Sequence, residues 1–300
     1  MTTDGRPTAI ELRPPSQTAN VAAMCRAVHS IRGDEPKLLP DGVARGLLGF
    51  ADDQSLLEHF DAQPLSRYPG ITTVFALRNR YAEDELAAAV VRGTRQYVIL
   101  GAGLDSFAYR CPDLMNQLDV FEVDHPGSQA WKRQRVAEMG LVVPGRLHYV
   151  PVDFEHDVLL NQLEEAGFDR SKPVFSSLLG VSQYLTKAAL SQTLHEIAAL
   201  SDVGCTLVME HIPPFSLLDP EERVPLEHVT AGYAKVGEPW LTFLTADAIA
   251  TLLREGGFTR VSPFDHADLH RRYLKSRTTD SVMPRFVSYL RADIDPSTVP

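Results

Sequence analysis

The stretch RQYVILGAGLDSFAYR, residues 95–110, decides the fold. It begins as a short apolar run, as a buried strand does, and then reaches Gly101 and Gly103 ahead of a segment with helical character. Glycines allow a tight turn and a close approach of a ligand to the backbone, although two glycines alone also occur in purely structural turns. The dinucleotide fingerprint requires a third glycine where Ser106 stands, and the carboxylate of Asp105 would repel a pyrophosphate. The turn therefore indicates a ligand site that disfavours a pyrophosphate.

The next two predicted strands end in acidic residues. DVFEVD, residues 119–124, carries Glu122 and Asp124 on one face, because side chains alternate along a strand. Asp124 is nearer the carboxyl end, where open α/β sheets bind ligands, so it is the candidate for binding ribose hydroxyls. LHYVPVD closes with Asp153, which fits an adenine amino group, and Phe154 follows, which fits the ring. Each acid alone is also a common helix cap. The order glycine-rich, acidic, acidic predicts an adenosine cofactor without phosphates, S-adenosylmethionine, whose product is S-adenosylhomocysteine.

Apolar runs alternate with helical segments after residue 95, which predicts an α/β fold with a mostly parallel sheet. Strand signals are missing before that point, and the apolar residues of TANVAAMCRAVHSI recur every three or four positions, as in a helix. We expect a flexible arm over residues 1–15, a helical N-terminal cap over 16–91 and a cofactor-binding domain over 92–300 that forms one compact unit with the cap. The predicted strands cover 95–101, 119–124, 147–153, 173–183, 205–212, 258–264 and 284–290; the predicted helices cover 18–31, 53–60, 81–91, 127–139, 158–166, 187–200 and 246–256, and 291–300 is expected to be a frayed tail.

Residues 213–245, called the insertion below, separate the fifth strand from the next helix and contain five prolines. A segment this long inside a compact domain is usually functional, so we expect a lid over the site; a surface excursion with its own short helix is the alternative. Four aromatic side chains of the insertion are candidates to wall an apolar substrate pocket, or simply to pack: Phe215, Tyr233, Trp240 and Phe243.

Composition and charge exclude several classes of protein. The chain has 300 residues, of which 44% are hydrophobic and 23% charged, as in an ordinary globular protein. Its net charge of −10 argues against a nucleic-acid binder. Cys25, Cys111 and Cys205 lie far apart, so neither a disulfide framework nor a metal site is expected, and the cytoplasm is the expected location. No apolar run approaches a membrane span in length, so no membrane partner is expected.

Five motifs together carry a family resemblance: RNRYAEDEL (78–86), VILGAGLDSFAYR (98–110), FEVDHPGSQAWKR (121–133), VPVDF (150–154) and GVSQYLT (180–186). With them the chain resembles the leucine carboxyl methyltransferase family of class I S-adenosylmethionine-dependent methyltransferases, in the bacterial branch that includes polyketide carboxyl O-methyltransferases. The resemblance covers residues 16 to 290. It implies a Rossmann-like sheet of seven strands with the last antiparallel, helices on both faces and an N-terminal helical cap.

The resemblance also implies roles for single residues. Arg78 matches the arginine that holds the methionine carboxylate of the cofactor, and Arg80 is close enough in sequence to compete for that role. One departure matters: many family members have an acidic residue beside the cofactor where this chain has Leu179. The remaining matches are Gly101 at the cofactor turn, Asp124 at the ribose, and Asp153 with Phe154 on the adenine side.

Methyl transfer is an in-line displacement at a sulfonium carbon, so the enzyme mostly positions and desolvates the reactants. A carboxylate acceptor needs no general base, whereas a phenol or alcohol does. The candidates at strand and loop tips are His125, Tyr184, Glu210 and His211, of which the last three are the candidate catalytic residues. Tyr184 is also a candidate to pack or to line the cofactor pocket. We expect an O-methyltransferase acting on a small molecule, a carboxylate or phenol of a secondary metabolite, with a homodimer as an option.

Two other functions stay open on the sequence. An NAD-dependent oxidoreductase could use the same glycine turn, against the missing third glycine, and Leu179 keeps open a binding protein that has lost turnover. GVSQY resembles a hydrolase nucleophile elbow around Ser182, but a tyrosine stands where the elbow tolerates only a small residue. His266 and His270 have the spacing of a metal pair, yet no third ligand accompanies them, so no metal is predicted.

Overall fold

The computed structural model describes residues 14–153 and 157–295, and its centre is a seven-stranded sheet. Phe154 therefore lies outside the described residues, as do residues 1–13 of the expected arm and residues 296–300 of the expected tail. The strands are β1 (Gln96–Leu100), β2 (Asp119–Asp124), β3 (Leu147–Pro151), β4 (Val174–Leu178), β5 (Cys205–His211), β6 (Arg260–Phe264) and β7 (Ser288–Ile294).

The strand order is β3-β2-β1-β4-β5-β7-β6. The strands pair in parallel from β3 to β5, and β7 is antiparallel to both of its neighbours. The predicted sheet of the class I methyltransferase fold is therefore confirmed. The order reverses between β1 and β4, and open α/β sheets bind ligands at the carboxyl ends of the strands around such a switch point.

Helices cover both faces of the sheet. Tyr97 and Ile99 of β1 belong to one apolar core, which also contains the N-terminal helices, whereas Val98 and Leu100 belong to a second core on the other face. The helices are α1 (Gln17–Arg32), α2 (Gly42–Leu48), α3 (Asp53–Asp61), α4 (Ile71–Val91), α5 (Phe107–Arg110), α6 (Pro112–Met115), α7 (Pro126–Glu138), α8 (Leu159–Glu165), α9 (Lys187–Ala198), α10 (Pro220–Lys235), α11 (Ala246–Glu255) and α12 (His266–Leu269).

The helix α4 corrects the sequence prediction. It was expected over residues 81–91 and begins instead at Ile71, after Gly70, whose φ is +74°. Its side chains are buried on several faces because α4 packs against both α1 and β5. A helix buried in this way has no single apolar stripe, which is the signal that periodicity detects. The correction matters because Arg78 lies in the middle of α4.

Two strand predictions also need correction. The fourth strand was expected to reach residue 183 and ends at Leu178, since Gly180 has a φ of +72°. The last strand was expected over 284–290 with a frayed tail, but β7 continues to Ile294. Asp293 accepts a hydrogen bond there through Oδ1, from Thr206 Oγ1 of β5 at 2.8 Å.

The insertion contains a helix despite its prolines. Pro220 stands at the start of α10, a position that suits proline, and Pro225 lies inside this helix of 16 residues. Leu226 is the one buried residue of α10, so the helix lies on the surface. The insertion thus has its own helix, as in the alternative prediction, although a long one. Within the described part of the chain, no helix is long and apolar enough to span a membrane.

Candidate active site

A cavity of about 790 Å³ opens at the carboxyl ends of the central strands. Its walls come from β1, β2, β4 and β5 on the inside and from α1, α4 and the insertion on the outside. The structure brings ten residues that the sequence singled out to this one cavity: Arg78, Gly101, Gly103, Asp105, Asp124, Leu179, Tyr184, Glu210, Tyr233 and Trp240. Asp153 and His211 are not among the residues that line it.

The glycine turn forms the floor of the cavity. Gly101 and Gly103 have φ values of +65° and +49°, a backbone region that residues other than glycine rarely adopt. A Cβ on Gly101 would lie 2.5 Å from Val181 Cγ2, so the turn also has no room for a side chain there. Both glycines line the cavity, so main chain rather than a side chain faces it at these two positions.

Asp124 lies at the end of β2 and lines the cavity. Its carboxylate accepts hydrogen bonds from the main-chain N–H of Gly103 and, at 2.7 Å, from that of His125. Burial raises the pKa of Asp124, and the two N–H donors oppose that rise. Glu122 has a different environment: it is 1% exposed and pairs with Lys132 Nζ at 2.6 Å. Of the two acids on this face, Asp124 alone is placed to meet a ligand in this cavity.

Asp153 lies two residues beyond β3, at the same edge of the sheet. Its main-chain N–H donates to Asp157 Oδ2 at 2.9 Å. Its partner on the adenine side, Phe154, is outside the described residues. The adenine-side roles of both residues stay predictions.

Arg78 and Glu210 form a buried ion pair in the cavity. Arg78 Nη1 donates to Glu210 Oε1 at 3.0 Å, and the two residues are 8% and 2% exposed. The guanidinium also lies over the ring of Phe75, 4.7 Å from its centroid. Arg80 points elsewhere, because its Nε donates to Asp84 at 2.9 Å and its side chain is 43% exposed. The geometry therefore favours Arg78 over Arg80 as the cationic residue of the site.

His211 does not accompany Glu210 into the cavity. Adjacent residues of a strand face opposite sides, so His211 points away, and its Nδ1 lies 3.0 Å from the carbonyl oxygen of Leu244. Burial lowers the pKa of His211 to about 4, which leaves the ring neutral at pH 7. His211 is not among the residues that line the described cavity, and its catalytic role stays a prediction.

Tyr184 lines the cavity from the short turn after β4. Its hydroxyl accepts a hydrogen bond from Trp240 Nε1 at 3.1 Å, and burial raises its pKa. Ser182 is buried beside it, and its hydroxyl donates to the main-chain oxygen of Glu210 at 2.9 Å. Ser182 thus fixes the end of β5.

The four aromatic residues of the insertion divide into two pairs. Tyr233 and Trp240 line the cavity, as expected for a substrate wall. Phe215 and Phe243 pack behind Trp240, with ring centroids 6.2 Å and 6.4 Å from it. The first pair thus lines the cavity, the second pair supports Trp240 from behind, and a contact with substrate stays a prediction.

A buried network that the sequence analysis missed holds the glycine turn in place. Arg26 Nε donates to Asp41 at 2.8 Å, and Arg26 Nη2 donates to the carbonyl oxygen of Leu104 at 2.6 Å. Ser106 also donates to Asp41, at 2.7 Å. Burial alone would raise the pKa of Asp41, but the guanidiniums of Arg26 and Arg110 hold it below its usual value. The sequence carried one signal of this network: residues 16–31 contain no Lys, Asp or Glu, and Arg26 is their one arginine.

Glu238 of the insertion was also missed, and no sequence signal pointed to it. Its carboxylate accepts hydrogen bonds from the main-chain N–H of Gln17 at 2.8 Å and of Thr18 at 3.1 Å, and from Thr18 Oγ1 at 2.8 Å. These groups form the first turn of α1, where unpaired N–H groups favour an anion. Glu238 therefore fastens the insertion to α1 along the partly exposed edge of the cavity.

Comparisons with known proteins agree with this geometry. Residues 19–198 match the leucine carboxyl methyltransferase family. YktD of Bacillus subtilis (strain 168), named as an S-adenosyl-L-methionine-dependent methyltransferase, is 32% identical over 279 residues, which cover 85% of this chain and 90% of that protein. A protein of Mycobacterium tuberculosis (strain ATCC 25177 / H37Ra) with the same kind of name is 30% identical over 274 residues, 85% of this chain and 86% of its own.

Solved structures support the fold. A protein from Thermobifida fusca YX superposes with a TM-score of 0.61 at 14% identity, over 98% of this chain and 100% of its own. A protein from Streptomyces avermitilis MA-4680 has a TM-score of 0.60, also at 14% identity, over 93% of this chain and 97% of its own. The matched sequence, the sheet and the cavity agree with the resemblance found in the sequence: the chain belongs to the leucine carboxyl methyltransferase family of S-adenosylmethionine-dependent methyltransferases.

Proposed function

We propose that this methyltransferase transfers its methyl group to an oxygen atom of a small, largely apolar molecule, a carboxylate or a phenol of a polyketide-like secondary metabolite. One observation carries the proposal: a single cavity joins the glycine turn and Asp124 to the aromatic wall of Tyr233 and Trp240. The first half suits a polar cofactor, and the second half suits an apolar acceptor, since small-molecule sites combine apolar walls with a few polar groups.

The described residues fit the cofactor in size and chemistry. The cavity of about 790 Å³ lies within the range of roughly 300–1,000 Å³ that small-molecule sites occupy. The glycine turn lines the cavity with main chain, and Asp124 places a carboxylate where ribose hydroxyls can donate. Arg78 Nε and Glu210 Oε2 are buried atoms that lack a hydrogen-bond partner among the described residues. An unmet donor and an unmet acceptor in a cavity call for a polar ligand.

When bound, the cofactor supplies a methyl group on a cationic sulfur with a good leaving group. The protein binds and orients the cofactor and the acceptor and keeps water out of the cavity. Asp124 accepts hydrogen bonds from the ribose, Arg78 donates to the methionine carboxylate, and the insertion covers the acceptor. Asp153 and Phe154 keep their predicted place on the adenine side.

The choice of acceptor depends on a proton. A carboxylate reacts as its anion, whereas a phenol must lose a proton to a base. Tyr184 is a poor base because burial raises its pKa and keeps it protonated. Three of the four carboxylates that line the described cavity accept hydrogen bonds through both oxygens: Asp105, Asp124 and Glu238. The fourth, Glu210, forms an ion pair with Arg78. We therefore place a carboxylate acceptor first and a phenol second.

The proposal includes a cytoplasmic location. All three cysteines are free, as is usual in a reducing compartment. A homodimer stays a prediction, and no nucleic-acid partner is proposed.

The first test is calorimetric titration of S-adenosylhomocysteine into the wild type, Asp124→Asn and Asp119→Asn. Loss of charge-assisted hydrogen bonds costs about 1.5–3 kcal/mol, so Asp124→Asn is expected to weaken binding by roughly 10- to 100-fold. Asp119 is the matched control: it lies at the other end of β2 and pairs with Arg146 at 2.8 Å. Wild type that fails to bind, or equal affinities in all three proteins, would contradict the cofactor site; saturable binding of NAD would revive the oxidoreductase.

The second test addresses the acceptor. Phenols and carboxylates with matched carbon skeletons are incubated with the enzyme and the cofactor, and methyl ethers and methyl esters are measured by mass spectrometry. We expect esters of apolar carboxylates to form fastest. Tight cofactor binding without transfer to any acceptor would instead indicate a binding protein that has lost turnover.

A further inference from the structure

The departure from the family at Leu179 has a counterpart on the neighbouring strand. β4 and β5 are parallel, and their last pair in register is Leu178 with Met209. Leu179 and Glu210 each follow directly, so the two residues are lateral neighbours at the end of the sheet. Both line the cavity. A carboxylate is therefore present at this edge, one strand over from the position where many family members have it.

The surroundings of Glu210 leave half of its carboxylate unused. Oε1 accepts the hydrogen bond from Arg78 Nη1 at 3.0 Å, whereas Oε2 is buried and has no partner among the described residues. Arg78 has the matching condition, since its Nε is buried without a partner in the same part of the chain. The main chain at Glu210 is held by Ser182, so the residue is fixed in place. Buried polar atoms are rarely left unpaired in proteins, so the pair is expected to receive a ligand that both donates and accepts.

An amino acid group is such a ligand, because it carries an ammonium donor and a carboxylate acceptor on one carbon atom. The methionine part of the cofactor ends in this group. Resting on the proposed function, we propose that Glu210 binds the ammonium group of the cofactor through Oε2 while Arg78 binds its carboxylate, so that Glu210 takes the place of the acid missing at Leu179. Glu210 is then a cofactor-binding residue, in place of the catalytic role that the sequence analysis considered.

The test uses three ligands that differ in this group alone: S-adenosylhomocysteine, its analogue without the amino group and its analogue without the carboxylate. Each is titrated calorimetrically into the wild type, Glu210→Gln and the control Asp119→Asn. We expect the wild type and the control to bind the deaminated analogue at least ten-fold more weakly than S-adenosylhomocysteine. We expect Glu210→Gln to bind S-adenosylhomocysteine at least ten-fold more weakly than the wild type does, and to bind the deaminated analogue with the same affinity as the wild type.

The outcomes separate the inference from the function beneath it. If Glu210→Gln weakens S-adenosylhomocysteine and the deaminated analogue by the same factor, Glu210 only positions Arg78 and the inference is wrong. If Glu210→Gln does not fold, the wild type alone tests the inference. Equal affinity of the wild type for S-adenosylhomocysteine and for the deaminated analogue overturns it. A wild type that binds none of the three ligands overturns the proposed function as well.

Discussion

Replacement of Arg26 by glutamine is expected to destabilise the protein strongly. Arg26 and Asp41 are 3% and 0% exposed, so their ion pair lies inside the protein. Removal of Arg26 leaves the buried carboxylate of Asp41 with one remaining cation, Arg110, whose Nε lies 3.6 Å away. The change also removes the hydrogen bond to the carbonyl oxygen of Leu104, which follows the glycine turn. Stability and cofactor binding should therefore fall together.

The magnitude follows from the burial. Breaking a buried ion pair by removing one partner costs about 3–5 kcal/mol. A domain of this size loses roughly 2 °C in melting temperature per kcal/mol, so a decrease of roughly 6–10 °C is expected. Cofactor affinity should fall in the folded variant, because the turn at Gly103 loses its anchor on α1.

Arg32 provides the matched control on the same helix. It pairs with Asp61 at 2.6 Å, but the two side chains are 43% and 53% exposed. Exposed ion pairs contribute about 0–1 kcal/mol to stability, so Arg32→Gln should change the free energy of unfolding by no more than this. Urea unfolding of both variants and titration of S-adenosylhomocysteine test the difference. Equal losses of less than about 1 kcal/mol in both variants would refute the reasoning from burial.

Two further predictions concern His211 and Gly101. Because burial lowers the pKa of His211 from 6.5 to about 4, the unfolded chain takes up a proton between these values and the folded chain does not. Stability is thus complete above pH 6.5 and falls as the pH drops, by about 2 kcal/mol between pH 7.5 and 5; urea unfolding of His211→Asn should lack this part of the decrease, and an unchanged slope would contradict it. Gly101→Ala should abolish S-adenosylhomocysteine binding in calorimetry, because its Cβ would clash with Val181. Gly93→Ala shares a positive φ but has no atom within 4 Å of the added Cβ, and should bind normally.

The sheet and its ligand edge could be predicted because the signals are local. Each of the first three strands is a short apolar run that ends at a glycine or an acid, and the structure places Gly101 and Asp124 at one edge as expected. Strand ends were less predictable. Gly180 ends β4 by its backbone conformation, whereas the polar residues at the end of β7 gave no sign that Thr206 on β5 would satisfy one of them.

The residues that the sequence missed depend on partners far along the chain. Arg26 and Leu104 are 78 residues apart, and Glu238 and Gln17 are 221 apart. Periodicity reports how one segment meets a core, and it carries no information on which distant segment supplies a partner. The same limit applies to His211: its position at a strand end was clear, but not that the cavity would open on the side of Glu210.

The hydrogen bonds of Glu238 have a consequence for the entry of ligands into the cavity and for their exit. The first turn of α1 and the insertion meet at the edge of the cavity. There the carboxylate of Glu238 accepts three hydrogen bonds, from the main-chain N–H groups of Gln17 and Thr18 and from Thr18 Oγ1. Passage at this edge therefore needs the exchange of these bonds with water, and neither helix has to unfold. Because the bonds share one carboxylate, they are made and broken as a unit. We therefore expect this one side chain to influence how fast ligands enter and leave, in addition to the residues that bind them.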